Sequence, residues 1–310
     1  MCISPIWIEK TTDTQGTYVP CGRCYECIET KRRVWTLRLI MELRVAESAY
    51  FLTLTYEPEN VPLVLQWNMH YAMTLQKKDI QDFNKRLRQN IMQEDTRYLK
   101  QSEKTGNWSP KYRYFACGEY GPKTERPHYH IIAYNIPHDY FIWDPIHEKY
   151  YSKILEEIWG KGRIEVGEIT HGRAHYVTKH HMFPLDELFN RLGSREKPFA
   201  LMSTKPGLGL NYIDDKLTDY FTRTKNSFAT LKNGNRSPLG RYYKEKIKEA
   251  IDDPEAIREA SRKAKEYAEN QKQQEREAYE SEADFIEAKR QEFTAGYKRY
   301  KRNLIKNSKL

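Results

Sequence analysis

The segment Pro127–Tyr134, which reads PHYHIIAY, constrains the fold more than any other part of the chain. From His128 onward its β-branched and aromatic residues predict a strand. Because residues two apart in a strand point to the same face, His128 and His130 present two imidazoles side by side, and Tyr129 and Ile131 pack on the other face. Two imidazoles in this arrangement suit a divalent metal ion. Taken alone, the pattern fits an ordinary pair of sheet histidines equally well.

The preceding strand leads to a carboxylate. Residues 111–118 also read as a strand, and Glu119 follows directly, at the start of a turn-rich connection over 119–127. If the two strands pair as a hairpin, Glu119 lies near the strand ends and within reach of both histidines. A carboxylate that completes two imidazoles makes a cation site with open positions for a phosphate oxygen. Without the histidines, Glu119 would be interpreted as a solvated turn residue.

Helices and strands follow one another along the first 185 residues. This order predicts an α+β fold, with a ferredoxin/RRM-like, largely antiparallel sheet and helices packed on it. The spacing of apolar residues predicts helices over 28–45, 77–90, 153–159 and 174–183, and further strands over 49–56, 128–134 and 163–169.

The composition changes beyond residue 240. Residues 243–292 are dense in Lys, Glu, Ala and Gln, which predicts a long, solvated C-terminal helix followed by a basic tail. We therefore expect three segments: a cysteine-bearing arm with a basic helix over 1–48, a central α+β domain over 49–240, and a charged helical extension over 241–310.

A tyrosine and a lysine lie three residues apart in the helix predicted over 174–183. At that spacing Tyr176 and Lys179 share one helical face. A phenol, with a pKa of about 10, is a poor nucleophile until a metal, a base or a cation helps to remove its proton. A neighbouring ammonium can lower that pKa or stabilise charge on a transferred phosphate. Since the chain has 23 tyrosines, the case for Tyr176 depends on its pairing with the histidine motif.

The charge and the aromatic content suit a polyanion with exposed bases. The chain has 52 Lys and Arg against 43 Asp and Glu, a net charge of +9, and 13% of its residues are aromatic. Cations meet phosphates and aromatic faces stack on unpaired bases, so we expect contacts with single-stranded nucleic acid. The candidate DNA-binding residues are Arg32, Arg33, Lys85, Arg86, Arg88 and Arg126.

Three of the five cysteines form a C-x₂-C-x₂-C motif, Cys21, Cys24 and Cys27, and Cys2 is available as a fourth thiolate. Tetrahedral zinc takes four nitrogen or sulfur ligands, so the spacing predicts a structural zinc that pins the N-terminal arm onto the first helix. An iron–sulfur site and unligated buried cysteines remain alternatives. Cys117, in a predicted strand, is expected to be a small core residue.

Nothing in the sequence predicts a membrane protein or an exported one. No run approaches the roughly 18 consecutive apolar residues that a membrane span requires, and the first residues lack a signal-peptide pattern. Clustered cysteines in a chain without an export signal favour a reduced, cytoplasmic setting.

Together the motifs resemble a known family. FLTLTY, then CGEYG and RPHYHIIAY, then a Y-V-x-K helix, occur in the order found in the replication initiators of microviruses, and the gokushovirus branch is the most similar. The resemblance extends to VPCGRCYEC, KPFALMSTKPGLG and PLGRYY, and covers roughly residues 1–245.

The resemblance implies an HUH endonuclease with its nuclease domain over 49–240. It makes His128 and His130 the ligands of Mg²⁺ or Mn²⁺, with Glu119 as the acidic third ligand. It also makes Tyr176 the nucleophile and Lys179 its basic partner. Related initiators often carry a second tyrosine in Y-V-x-K/R-Y, where this chain has His180.

The implied activity is that of a rolling-circle replication initiator, a nickase and ligase that cuts single-stranded DNA at an origin in the cytoplasm of a bacterial host. It leaves a 5′-phosphotyrosine and a free 3′-OH that primes host polymerase. A host helicase is expected, because the chain has no G-x-x-x-x-G-K-[ST] motif. With His180 at the second position, termination would reuse Tyr176 or need a second molecule.

Two other functions remain open at this point. A non-catalytic single-stranded nucleic-acid-binding protein with an RRM-like sheet explains the charge and the aromatic residues, and predicts binding without metal-dependent cleavage. A transposase or relaxase would use the same HUH chemistry on another substrate. The histidine-triad hydrolases fit less well, because Ile132 stands where a third histidine would be.

Overall fold

The structure, a computed structural model, divides into two compact units, Met1–Leu37 with Leu210–Leu310, and Arg38–Gly209. Its described residues are 2, 5–9, 16–22, 24–94, 112–121, 123–181, 192–213, 215–226, 228–230, 236–251 and 253–306.

The described strands are β1 (Ile6–Ile8), β2 (Thr17–Val19), β3 (Ala49–Thr55), β4 (Leu63–Leu65), β5 (Tyr71–Met73), β6 (Arg113–Tyr120), β7 (Pro127–Tyr134), β8 (Ile142–Asp144), β9 (Lys149–Tyr151), β10 (Ile164–Glu168), β11 (Phe199–Met202), β12 (Phe228–Thr230) and β13 (Arg236–Pro238). The described α-helices are α1 (Tyr25–Leu43), α2 (Lys77–Glu94), α3 (Lys153–Trp159), α4 (His171–His181), α5 (Asp215–Thr224), α6 (Arg241–Ala250), α7 (Pro254–Arg276) and α8 (Glu282–Lys306).

A seven-stranded sheet forms the centre of the described part of the 38–209 unit, in the order β11-β6-β7-β3-β10-β9-β8. Every neighbouring pair in it is antiparallel. Strand β7 therefore lies between β3 and β6 and is hydrogen-bonded along both of its edges. The predicted α+β fold with a largely antiparallel sheet is confirmed.

Helices α2 and α3 cover one face of this sheet. The alternate β7 residues Tyr129 and Ile131 belong to the buried cluster on this side, together with Phe83 and Leu87 of α2 and Trp159 of α3. The ring centroids of Tyr129 and Trp159 are 6.0 Å apart. Burial of large apolar side chains stabilises the sheet by roughly 25 cal/mol per Å², and it fixes which β7 residues face the other way.

Helix α3 shows why the predicted element has the bounds that it has. Its first turn is capped by the Ser152 hydroxyl, which accepts a hydrogen bond from the Leu155 amide. Its last turn ends at Gly160, which adopts φ 62° in the left-handed region that favours glycine. Trp159 then donates from its indole nitrogen to the carbonyl oxygen of Thr55, 3.0 Å away, and so holds the end of β3.

Helix α4 packs on the opposite face, against β6 and β7. The other alternate residues of β7, including His128 and His130, therefore lie between the sheet and this helix. Val177 and Thr178 of α4 are fully buried there. The strand β6 extends two residues beyond its predicted end, to Tyr120, so Glu119 is a strand residue and not the start of a turn.

The other unit contains two small hairpins and several helices. Strands β1 and β2 pair with each other, as do β12 and β13. Apolar side chains that face the inside of this unit are Phe221, Tyr243, Ile247, Ala256, Ala260 and Phe285.

The prediction of one long C-terminal helix over 243–292 is wrong, because the described part of this segment forms α6, α7 and α8. Proline cannot donate an amide hydrogen bond, so Pro254 starts a new helix and does not continue α6. The Asp253 side chain caps α7 by accepting from the amides of Glu255 and Ala256. Residues 307–310 of the predicted basic tail lie outside the described residues, and the division into domains over 1–48, 49–240 and 241–310 stays a prediction.

Candidate metal and tyrosine site

The register of the central strands brings the predicted metal ligands together. Glu119 of β6 lies directly opposite His128 of β7. The Nε2 atom of His130 is 2.7 Å from Oε1 of Glu119, and Nε2 of His128 is 3.5 Å from the same oxygen. One ligand atom from each of the three side chains lies within 4.8 Å of the other two. The hairpin inferred from the sequence therefore places the carboxylate within reach of both histidines.

Neighbouring groups orient both imidazoles. Nδ1 of His128 is 3.2 Å from the carbonyl oxygen of Arg126. A carbonyl can only accept, so Nδ1 donates and Nε2 keeps its lone pair on the side of Glu119. Nδ1 of His130 is 3.1 Å from the Thr53 hydroxyl of β3. Outer partners of this kind fix the ring orientation of metal-binding histidines.

Burial sets the electrostatics of the three side chains. Glu119 is 8% exposed and His130 is 7% exposed. Burial alone would lower the pKa of His128, but the hydrogen bond and the negative charge of Glu119, with the Arg126 carbonyl, raise it above its ordinary value. Buried charges are normally paired or bound to a metal. Two imidazole nitrogens and a carboxylate oxygen also suit a divalent cation, so these residues fit such an ion.

Tyr176 reaches this group from the helix above it. Its hydroxyl forms a hydrogen bond with the Glu119 carboxylate, and its ring meets that of His130 edge-on, with centroids 5.4 Å apart at 83°. Phe51 of β3 lies on the other side, with its ring centroid 6.4 Å from that of Tyr176. Burial, and then the negative charge of Glu119, raise the pKa of Tyr176 well above its usual value. The phenol therefore stays protonated while the Glu119 charge is not offset.

The predicted basic partner follows on the same helix. Lys179 lies three residues after Tyr176 in α4, as the sequence requires. The side chains of Lys179 and His180, and residues 182–183 of the predicted helix, lie outside the described part of the structure. The roles assigned to Tyr176 and Lys179 stay predictions.

Sequence reasoning missed two residues near the site. Arg173 lies one turn before Tyr176 on α4, with its guanidinium carbon 5.6 Å from the ring centroid of Phe51, and it donates to the carbonyl oxygen of Glu168. Thr53 orients His130, as described above. The alternation in FLTLTY puts Phe51 and Thr53 on one strand face, so it was the available signal for both.

Cys117 lies beside the site as a buried side chain, 1% exposed. It is paired in register with His130. Burial, and then the nearby Glu119 charge, raise the pKa of its thiol well above the usual value. Its predicted place as a small core residue is therefore confirmed.

The candidate DNA-binding residues differ in how far their charge is already used. Arg32 is 4% exposed and pairs with Glu29. Arg86 donates to the carbonyl oxygens of Ile158 and Trp159 at 2.9 and 3.2 Å, at the end of α3. These two guanidinium groups have local structural partners.

The remaining candidates are placed differently. Arg33 and Lys85 are exposed or partly exposed, and the guanidinium carbon of Arg88 lies 5.9 Å from the ring centroid of Tyr112. Arg126, two residues from His128, donates from Nη2 to the Tyr56 carbonyl oxygen at 2.7 Å. Contact of any of these residues with DNA stays a prediction.

The four cysteines of the N-terminal arm also lie together. One sulfur from each of Cys2, Cys21, Cys24 and Cys27 is within 4.8 Å of the other three. The Sγ atoms of Cys2 and Cys24 are 3.8 Å apart, and those of Cys21 and Cys27 are 4.0 Å apart. Both distances exceed the ~2.05 Å of a disulfide bond.

A family model for phage replication-associated proteins of the ORF2 type matches residues 49–182 of the chain, the segment that carries β3, β6, β7 and α4. None of the described helices is long and apolar enough to cross a membrane.

Three phage proteins are similar over most of this chain. Replication-associated protein VP4 of Bdellovibrio phage phiMH2K is 27% identical over 231 residues, which is 73% of this chain and 66% of that protein. Replication-associated protein ORF2 of Spiroplasma virus 4 is 28% identical over 235 residues, with the same two shares. Replication-associated protein ORF4 of Chlamydia phage 1 is 27% identical over 253 residues, which is 75% of this chain and 54% of that protein.

The matches therefore span between 54% and 66% of the relatives' own lengths. No solved structure matches the chain. The predicted resemblance to microvirus replication initiators is confirmed by the family model and by these relatives.

Proposed function

For a chain similar to the replication-associated proteins of small phages, we propose the function of a rolling-circle replication initiator that nicks single-stranded DNA through Tyr176. One observation carries the proposal: the Tyr176 hydroxyl is hydrogen-bonded to Glu119, and Glu119 contacts both His128 and His130. A candidate nucleophile and a candidate metal site thus meet at one carboxylate, although they come from different elements of the fold.

The covalent step needs few groups. The Tyr176 oxygen forms a bond to the phosphorus as the bond from phosphorus to the 3′ oxygen breaks. The phenol loses its proton, and the departing 3′ oxygen gains one, so the step leaves a 5′-phosphotyrosine and a free 3′-OH. The proposed role of Lys179 is to stabilise charge on the phosphate as it is transferred.

His128, His130 and Glu119 would hold a divalent ion, which we propose to be Mg²⁺ or Mn²⁺. When bound, such an ion polarises the scissile phosphate and neutralises the charge that develops on it. The protein's own part is to keep the imidazoles oriented through Thr53 and the Arg126 carbonyl.

Rejoining is the reverse of the same step. A 3′-OH attacks the phosphotyrosine, the bond between phosphorus and the Tyr176 oxygen breaks, and the phenol regains a proton. This gives the proposed ligase activity. Because His180 occupies the position of a second tyrosine, we propose that Tyr176 acts again at termination or that a second molecule supplies the other tyrosine.

An exposed hairpin extends from the same end of the sheet as the site. Residues 60–76, which include β4 and β5, contain no Lys, Arg, Asp or Glu, although 31% of the chain is charged. Leu65 and Tyr71 face each other across the hairpin and are 43% and 71% exposed. Trp67, in the turn, is 90% exposed. A group of exposed apolar side chains such as this normally marks a binding surface.

The base of the hairpin is tied to the site. The amide of Leu75 donates to the Tyr120 hydroxyl at 3.1 Å, and Tyr120 directly follows Glu119 in β6. We therefore assign to Trp67 and Tyr71 the unpaired bases that flank the scissile phosphate, since aromatic faces stack on bases of any sequence.

The remaining parts of the proposal concern partners and setting. The substrate is the single-stranded DNA of a replication origin, and host polymerase extends the 3′-OH after host helicase has opened the duplex. This places the activity in the cytoplasm of a bacterial host.

Cleavage of end-labelled single-stranded DNA from the chain's own replicon tests the proposal. We expect cleavage with Mn²⁺ or Mg²⁺, none after chelation, and a loss of cleavage in the His130→Ala variant, with DNA binding retained. Binding without cleavage across several origin fragments would contradict the proposal and support the non-catalytic binding protein.

A further inference from the structure

We propose that Cys2, Cys21, Cys24 and Cys27 bind one zinc ion, and that this ion supplies the stability that the β1–β2 hairpin lacks. The proposal is independent of DNA cleavage, because the cysteines and the residues around Tyr176 belong to different units of the chain.

The distances between the sulfurs match a single tetrahedral metal. With Zn–S bonds of about 2.3 Å, neighbouring sulfurs of a tetrahedron lie about 3.8 Å apart. The two measured pairs, Cys2 with Cys24 and Cys21 with Cys27, are 3.8 and 4.0 Å apart. In a four-iron cluster each cysteine binds a different iron, which holds the sulfurs further apart, so the geometry favours one metal ion.

Backbone amides already point at two of the sulfurs. The amide of Cys21 donates to Sγ of Cys2 at 3.2 Å, and the amide of Cys24 donates to Sγ of Cys21 at 3.3 Å. Hydrogen bonds from amides stabilise the negative charge that a thiolate ligand carries, and they hold the ligand in place. The local backbone is thus folded around the sulfurs.

The ligands enclose a hairpin with almost no core of its own. Cys2 precedes β1, Cys21 follows β2, and Cys24 and Cys27 lie at the start of α1. Strands β1 and β2 have three residues each, and an isolated two-stranded hairpin is at best marginally stable in water. The apolar side chains of this hairpin are largely in solvent: Ile6 is 50%, Trp7 47%, Ile8 48% and Tyr18 67% exposed.

Zinc can replace that missing core. The four sulfurs converge only in the folded chain, so the free energy of metal binding at such a site appears as folding free energy. One ion would join the two ends of the hairpin to the first turn of α1, which is the connection that the buried apolar area does not provide.

Metal analysis of the purified full chain tests the proposal. We expect about one zinc per chain, and cobalt in its place should give the intense thiolate charge-transfer band of a tetrahedral sulfur site. Cys24→Ser and Cys27→Ser should each lose the zinc. Cys117→Ser, a buried cysteine of the other unit, is the matched control and should keep it.

A second control separates the two metal sites. The His128→Ala/His130→Ala double variant should retain the zinc whether or not the chain cleaves DNA. Iron in place of zinc, zinc retained by Cys24→Ser, or wild-type protein that gives neither bound zinc nor the cobalt band would overturn the proposal. Because the cobalt titration uses wild-type protein, the result stands even if a cysteine variant fails to fold.

Discussion

The two candidate metal sites differ in what holds their ligands. His128, His130 and Glu119 lie on adjacent strands in the middle of a seven-stranded sheet, and their register is fixed by backbone hydrogen bonds and by the core beneath them. The four cysteines lie around a short hairpin that is mostly in solvent. The fold preorganises the first site, whereas the hairpin at the second site depends on its ligands. We therefore expect metal removal to stop chemistry at the first site and to undo structure at the second.

The largest expected effect is on cleavage at the first site. Loss of an outer partner of a metal ligand alone costs about 10–100-fold, so the His128→Ala/His130→Ala variant should cleave single-stranded DNA more than ~100-fold more slowly. Its melting temperature should stay close to that of the wild type, because the sheet does not depend on the metal. A large loss of thermal stability in this variant would remove the contrast between the two sites.

Metal removal should show the opposite pattern in hydrogen exchange. After treatment with a strong chelator, the amides of β1, β2 and the first turn of α1 should exchange at least ~100-fold faster, because the ion holds that structure together. The amides of β6 and β7 should keep their protection. Equal changes in both regions, or no change in the hairpin, would show that the cysteines do not differ from the strand site in this way.

A smaller effect is expected when the exposed hairpin beside the site is changed. Trp67→Ala should weaken binding of single-stranded DNA by about 1–3 kcal/mol, the typical value for one stacked base, as measured by fluorescence anisotropy. The matched control is Trp143→Ala, because Trp143 is 47% exposed on the edge strand β8, away from the site. Equal losses in both variants would contradict the assignment of the hairpin.

The smallest expected effect is on the orientation of His130. Thr53→Val removes the hydroxyl near Nδ1 and leaves a side chain of similar size. Since an outer partner typically contributes about 10–100-fold, the Mn²⁺ concentration that gives half-maximal cleavage should rise by about 10-fold. An unchanged Mn²⁺ requirement would show that the sheet alone orients the imidazole.

The central sheet was largely predictable because its pattern has a period of two residues. Alternation in β7 separates His128 and His130 from Tyr129 and Ile131, and the structure confirms both faces. Glu119 followed from the assumption of a hairpin. Tyr176 did not follow from local pattern in a chain with 23 tyrosines; its candidacy came from the family resemblance.

Other features depend on partners that a sequence does not display. Arg32 and Arg86 look like free cations in the sequence, but one pairs with Glu29 and the other donates to carbonyl oxygens at the end of α3. Their tertiary contacts decide their roles. The break before α7 was readable, because Asp253 followed by Pro254 is a common helix start.

Detection of a covalent protein–DNA adduct tests the central claim most directly. The full chain is incubated with single-stranded DNA from its own replicon and Mn²⁺, resolved on a denaturing gel, and the modified peptide is identified by mass spectrometry. The account predicts a metal-dependent adduct on the peptide that contains Tyr176, and no adduct with Tyr176→Phe. Adduct formation that persists in Tyr176→Phe, or cleavage with no covalent intermediate, would contradict it.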